Sequence, residues 1–302
     1  MTSIFPLLAL LLTSVMLATV PIFTRLAQGE GLPTLAIATL RLLMAVILLT
    51  PYVLARYRDD LRRIQRRDLI LIGLAGLCTT MFFVFFFNAI AHTTVLIAAV
   101  MNGTSPLWAV LVEVLILKVM FRRSVWIGLV LVLAGSILYA FPAGDTALTP
   151  GDNPILGGGL ALMAALVNAS YVLLVREIRR HVAILPFLWL MLVAALSIAL
   201  VFALITQTPL TGFEPQGYLW VLLMTLCAQI IGHASLAYAL THVPATLGAL
   251  TTQLAVIFSA GMALVLFQEV PHPLQIIASV GILAGVALVI FQPRPSARTA
   301  QG

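Results

Sequence analysis

Apolar residues run along this chain in long unbroken stretches, parted at regular intervals by short polar segments. The runs lie near residues 4–26, 33–55, 69–91, 94–117, 125–142, 156–176, 185–206, 217–240, 245–267 and 273–291. Each holds roughly 20 residues, enough helix to cross a hydrocarbon layer of about 30 Å. Strands do not fit. A lipid-facing barrel alternates apolar and polar positions, whereas Met81–Phe87 reads MFFVFFF. In hydrocarbon a backbone must satisfy its own N–H and C=O groups, which a helix does. The pattern predicts an all-α polytopic membrane protein with ten transmembrane helices. The first run is not read as a cleaved leader, because no basic segment precedes it and its apolar stretch exceeds the ~7–15 residues of such a signal.

Composition agrees with this reading. Of 302 residues, 62% are apolar and 9% charged, too little polar surface for a soluble domain. The net charge of +6 would suggest nucleic acid in a soluble chain, but here its position matters more than its size. Arg56, Arg58, Arg62, Arg63, Arg66 and Arg67 follow span 2. Lys118, Arg122 and Arg123 follow span 4, Arg176, Arg179 and Arg180 follow span 6, and Arg294 and Arg298 follow span 10. Fourteen of the sixteen Lys/Arg thus follow even-numbered spans. The odd-numbered connections, Gln28–Leu32, His92–Thr93, Ala143–Ile155, Gln207–Gln216 and Gln268–His272, carry none. The positive-inside rule puts the basic loops and both termini in the cytoplasm. No nucleic-acid partner is expected, and lipid is the chain's surrounding. The two exceptions are Arg25, near an outer helix end, and Arg41, about eight residues or roughly 12 Å below the outer start of span 2. Insertion scales charge an arginine about 2.5–3.5 kcal/mol at the centre of a helix. Arg41 is expected to be a structural anchor that snorkels outward, with substrate contact as the alternative.

The chain also repeats. Shifted by 150 residues, spans 3–5 fall on spans 8–10 without a gap: His92 meets His242, Ala89 meets Ala239, and Leu133-Ala134-Gly135 meets Leu283-Ala284-Gly285. Pro33 and Pro186 each open the second span of their half. Constant offset over tens of residues is the signature of an internal repeat. Five is odd, so the second copy enters the membrane from the opposite side. Such inverted-topology repeats build secondary transporters, with the site near the midplane between halves. The expected organisation is a first repeat over 1–142, an outer linker over 143–155, a second repeat over 156–291 and a cytoplasmic tail over 292–302.

Several stretches carry a family resemblance. LLLTSVMLATVPIFTRLAQGEGLPTLAIATLRLLMAV, with small and polar residues in span 1 and Arg41 in span 2, resembles the opening of the EamA-type domain of the drug/metabolite transporter superfamily. GGLALMAALVNASYVLLVREIRR resembles the start of its second copy, and Phe267-Gln268-Glu269 followed by VPHPLQIIASVGILAGVAL resembles its acidic-ended ninth helix and last helix. The chain departs from the family in having Thr13-Ser14 where an early Trp is frequent, and Lys118-Val119 in place of an acidic pair after span 4. The resemblance covers nearly the whole chain. It implies two EamA repeats in a bacterial inner (plasma) membrane and export of small metabolites. Among its branches the pattern is most similar to bacterial amino-acid exporters, including the aromatic amino-acid exporter. Export of drugs, nucleosides or other metabolites coupled to protons is the alternative.

Polar residues inside spans mark the candidate site. In span 4, Asn102, Pro106, Ala109 and Glu113 share one face, Ser105 borders it, and Gly103 to Pro106 weaken the helix. Proline removes one backbone bond and frees carbonyls. Trp108 is either a packed ring or a cavity wall. Span 8 aligns Thr225, Gln229 and His233, with Gly232 beside them. Ser14 and Pro21 share a face in span 1, as do Asn168 and Tyr171 in span 6 and Thr252 and Ser259 in span 9. Asn88 near the end of span 3 corresponds by the repeat to Tyr238, which reads as an interface anchor. The expected substrate-binding set is Ser14, Asn88, Asn102, Ser105, Trp108, Asn168, Tyr171, Gln229, His233, Thr252 and Ser259. The bland alternative for each is helix-to-helix hydrogen bonding. Spans 2, 5, 7 and 10 are nearly uniformly apolar and are not expected to line the cavity. Pro21, Gly103, Pro106, Gly232, Gly248 and Gly261 are the expected hinge positions. Glu113 and His233 are the candidate proton carriers, although Glu113 could equally pair with Lys118.

Other classes find little support. A membrane enzyme needs a reactive cluster, and Gly103-x-Ser105 with a distant His233 is a poor match to a serine protease site. A passive channel needs a charged or carbonyl filter, and none is readable. No phosphate loop is present. Cys78 and Cys227 are too few for a four-ligand metal site and read as small apolar residues. No metal or cofactor is expected, and a monomer carrying a small-molecule substrate is the expected working form.

Overall fold

The structure is a computed structural model. It describes residues 4–105, 153–178, 182–240, 245–269 and 273–290, with isolated positions between 107 and 138. Every regular element among the described residues is helical. Helix α1 spans Phe5–Gly29, opens on Pro6 and turns out through Gly31, whose φ of +81° suits a residue without Cβ. Helix α2 spans Thr34–Arg56 behind Pro33, and a short exposed helix α3, Arg58–Arg62, follows it in the basic loop. Helix α4 spans Arg66–His92. Helix α5 spans Val95–Asn102, with the Thr94 hydroxyl accepting from the Ile97 N–H at its start. Helix α6 spans Pro154–Ile178 and helix α7 spans Ile184–Ile205. Helix α8, Pro215–Met224, runs through a π-helical segment, Thr225–Gly232, into helix α9, His233–Leu240. Helices α10 and α11 span Ala245–Phe267 and Pro273–Ile290.

Among the described residues, six helical stretches are long and apolar enough to cross a membrane: Phe5–Gly29, Thr34–Arg56, Arg66–His92, Pro154–Val175, Ile184–Ile205 and Pro215–Leu236. The fourth expected span is described over 94–105 and at 107, 108 and 111, and the fifth at eight positions between 126 and 138. Two expected spans are more broken than a plain helix. The fourth stops at Asn102, turns at Gly103-Thr104, and is helical again at Ser105. The eighth carries the π segment, a wider turn that inserts a residue and redirects the side chains after it.

Small residues bring the two halves together. A Cβ added to Gly76 on α4 would lie 2.8 Å from Ala194 Cβ and 2.9 Å from Ala195 N on α7. Beside it, Thr80 Oγ1 donates to the Ala195 carbonyl at 2.9 Å. Close backbone approach plus a hydroxyl bond is how helices associate when surrounding lipid is as apolar as their side chains. Leu204, Ile205 and Val265, all more than 70% exposed, belong to the surface that lipid would cover.

Candidate functional site

A cavity of about 310 Å³ lies between the halves at the middle of the helices. That size suits a small-molecule ligand. One wall is aromatic: Phe82, Phe83 and Phe86 from α4, with Tyr171 from α6. Their i, i+1 and i+4 spacing puts the three phenylalanines on one flank, and the Phe82 and Phe86 rings stack at 5.5 Å. A second wall is polar. Gln229 and His233 enter from the π segment and the residue after it, Ser259 from α10, and Asn168 from α6. His233 Nδ1 lies 2.7 Å from the Ala228 carbonyl. A carbonyl only accepts, so Nδ1 donates, and a neutral ring then offers Nε2 as an acceptor. Helix α1 closes a third side with Leu17, Ala18, Val20 and Pro21. Thr13 Oγ1 on the same helix donates to the Gly232 carbonyl at 3.3 Å, tying α1 to the end of the π segment.

Asn102 and Arg41 complete the lining. The Asn102 Oδ1 is buried and has no hydrogen-bond partner among the described residues. Arg41 is only 4% exposed. Its guanidinium carbon lies 4.6 Å from the centre of the Phe83 ring, while Nε and Nη1 are buried and meet no acceptor. Arg41, expected as an anchor that snorkels part of its depth, keeps its side chain inside, over an aromatic face. The cavity also draws on the second and seventh spans, contrary to expectation, through Arg41 and through Leu188, Met191 and Leu192.

Of the expected substrate-binding residues, Asn102, Asn168, Tyr171, Gln229, His233 and Ser259 line the cavity. Four others do not. Ser14 donates to the Leu10 carbonyl at 3.0 Å and Asn88 to the Val84 carbonyl at 2.8 Å, so each is spent on its own helix. Ser105 stands behind the wall, donating to the Asn102 carbonyl at 2.7 Å and accepting from Asn168 Nδ2 at 3.2 Å. It positions two lining amides. Trp108 Nε1 donates to Thr104 Oγ1 at 3.0 Å and is a packed ring. The side chain of Thr252 lies outside the described residues, as do Pro106 and Glu113. Among the expected hinges, Pro21 lines the cavity inside a continuous α1, Gly103 sits at the break after α5, and Gly232 ends the π segment. Gly248 and Gly261 lie within the uninterrupted α10.

At the helix ends that the sequence places on the outer side, the halves are joined by a polar knot that the sequence reading did not anticipate. Arg25, in the last part of α1, pairs with Glu269 beyond α10 and donates to the carbonyls of Ile90 and Thr93. The second carboxylate oxygen of Glu269 accepts from the Val95 N–H at 3.0 Å, the first residue of α5. Nearby, Gln28 Nε2 donates to the Phe87 carbonyl at 2.8 Å. Four helix ends, those of α1, α4, α5 and α10, thus meet on one charged pair. The acidic end of the ninth span was visible in sequence; its partner, 244 residues away, was not.

The model of the EamA-like transporter family matches residues 4–141 and again residues 155–291. The chain is 25% identical over 229 residues to the pseudopaline exporter CntI of Pseudomonas aeruginosa, in strain UCBPP-PA14 and in strain PAO1. Each match covers 75% of this chain and 76% of the relative. A crystal structure superposes with a TM-score of 0.63 over 93% of this chain and 94% of that one, at 19% identity. That likeness bears on the fold alone.

Proposed function

The chain belongs to the EamA-like transporter family, and from that premise we propose that it is a secondary transporter exporting small metabolites, namely amino acids including aromatic ones, by alternating access through the cavity between its halves. It is a multi-pass membrane transporter of small molecules, not an enzyme. The finer reading has ten helices as two inverted repeats, with both termini cytoplasmic in the inner membrane of a bacterium and a monomer as the working unit. The observation that carries it is the mid-helix cavity, with one aromatic and one polar wall. An amino acid needs both: a surface for its side chain and polar groups for its two charged ends. The outer knot around Arg25 and Glu269 supports a state closed to the outside, from which opening requires those contacts to part. The relative's activity, export of pseudopaline, supports outward movement of a metabolite.

Counterflow tests the reading. Vesicles holding the purified chain and loaded with unlabelled L-phenylalanine are expected to take up labelled L-phenylalanine transiently and saturably. Linear flux without counterflow would point to a channel, and no flux across a panel of amino acids would remove the amino-acid reading. For energy coupling, His233 is the described candidate for a proton carrier, and Glu113 remains a sequence-based one. With no evident acidic partner for His233, the favoured drive is the substrate gradient. Strong acceleration by an imposed pH gradient, abolished in His233→Gln, would reverse that choice.

A further inference from the structure

A buried guanidinium without an acceptor is among the most costly groups a fold can hold, and in a membrane interior the cost rises. Charges in that position normally pair with an acid or face a site. Arg41 has no such pair among the described residues. The described ion pairs join Arg25 to Glu269 and Arg67 to Glu177, and neither reaches it. Its described compensation is the Phe83 ring face, which attracts the charge and accepts no conventional hydrogen bond. Yet Arg41 borders open volume: it is part of the cavity wall. The same wall holds an orphan of the opposite kind, the buried Oδ1 of Asn102, an acceptor with no donor. Unmet donors and an unmet acceptor on one cavity describe a ligand that brings an anion and an N–H.

We infer that Arg41 is the anion-binding residue of the cavity: it receives the carboxylate of a zwitterionic substrate, while Asn102 accepts from that substrate's amine and the Phe82–Phe83–Phe86 wall takes its apolar body. A guanidinium fits the assignment because its planar fork matches a carboxylate and stays charged at any working pH. The Phe83 ring lies 4.6 Å from the guanidinium carbon and supplies no acceptor, so Nε and Nη1 are left without one among the described residues, at the edge of a cavity whose wall Arg41 forms. The inference deepens the amino-acid reading and rests on it. It adds that the carboxylate, not the ammonium, dominates recognition, so decarboxylated or amidated analogues are rejected.

Direct binding separates this inference from the transport reading. The purified full-length chain in detergent is titrated with L-phenylalanine, L-phenylalanine amide and phenethylamine, and with L-leucine and its amide, using equilibrium dialysis of labelled ligands. The acids are expected to bind about ten- to a hundredfold more tightly than the matched amides, the range of a charge-assisted hydrogen-bonded contact. Arg41→Gln should abolish that preference by bringing the acids down to the amides, and Arg41→Lys should keep part of it. The acid-to-amide ratio in the parental protein needs no variant, so misfolding of Arg41→Gln does not remove the test. Equal binding of acids and amides, no binding of any acid, or an unchanged ratio in a folded Arg41→Gln each overturns the assignment. Absent counterflow with the acid preference intact would sink the transport reading and leave this one standing.

Discussion

Arg25 and Arg41 are the two basic residues that break the charge pattern of the chain, and the fold treats them in opposite ways. Arg25 meets a carboxylate and two backbone carbonyls at the ends of the helices. Arg41, farther from the helix ends and more buried, meets only the face of Phe83 among the described residues. A buried charge must be offset somewhere. Around Arg25 the offset is internal, so the residue belongs to the structure and to the contacts that tie these helix ends together. Around Arg41 no acceptor stands among the described residues, which is what assigns it to whatever enters the cavity. Burial alone does not separate structural from functional charges; the presence or absence of acceptors does.

The sharpest way to break this contrast is to replace each arginine by methionine, which keeps much of the apolar stem and removes the charge. Arg25→Met leaves Glu269 buried without its partner, and losing one member of such a pair costs about 3–5 kcal/mol. The double replacement Arg25→Met with Glu269→Met should recover part of that loss, since no lone charge remains. Arg41→Met, by contrast, removes a buried charge that has no acceptor among the described residues, and should stabilise the protein by about 1–4 kcal/mol. Unfolding of purified protein in detergent measures all three. If Arg25→Met and Arg41→Met change stability alike, or the double replacement recovers none of the Arg25→Met loss, the distinction between the two sites falls.

A smaller effect extends the contrast from charges to packing. Gly76 sits in a filled contact, with Ala195 N 2.9 Å and Met191 O 3.1 Å from where a Cβ would stand, whereas Gly159 on α6 faces nothing within 4 Å. Backbone cannot give way as a flexible side chain can, so Gly76→Ala should cost about 1–3 kcal/mol. Gly159→Ala should gain up to about 1 kcal/mol from helix propensity. A neutral Gly76→Ala in the same unfolding assay would show that α4 and α7 are not held in contact there.

Much of the architecture was legible because hydropathy and helix length are coupled by the bilayer. The run read as 33–55 is the helix Thr34–Arg56, and the run read as 245–267 is Ala245–Phe267. The weak point at Gly103 was also legible, since glycine and proline mark breaks directly. What sequence could not supply was direction. Periodicity places Ser14 and Pro21 on one face, but not the fact that the serine hydroxyl returns to its own helix. An insertion scale prices Arg41 by depth and is blind to Phe83, which lies on another helix. The pairing of Arg25 with Glu269 needed the two halves to be docked first. The π segment left no mark at all, because TLCAQIIG is unexceptional helix sequence. Yet that segment and the residue after it carry Gln229 and His233 into the cavity, and the repeat offset of 150 sets Thr79 and Phe83 in their places in the first half. Two copies of one helix have become a polar wall and an aromatic wall.

The smallest expected effect probes how that polar wall is held. Thr13 Oγ1 shares its hydrogen between the Ala9 carbonyl on its own helix and the Gly232 carbonyl at the end of the π segment. Thr13→Val keeps the shape and removes the hydroxyl. Polar contacts between membrane helices are worth about 0.6 kcal/mol on average, and at 3.3 Å the bond to Gly232 is a long one. The loss in unfolding free energy should therefore be about 0.6 kcal/mol, far below that of Arg25→Met. Because His233 follows Gly232 directly, the variant should weaken L-phenylalanine binding by about threefold, the change that such an energy produces, and leave the acid-to-amide ratio set by Arg41 unchanged. A stability loss approaching that of Arg25→Met would mean that the tie between α1 and the π segment, rather than the outer knot, holds the halves together. A collapse of the acid-to-amide ratio would mean that the polar wall, and not Arg41, recognises the carboxylate.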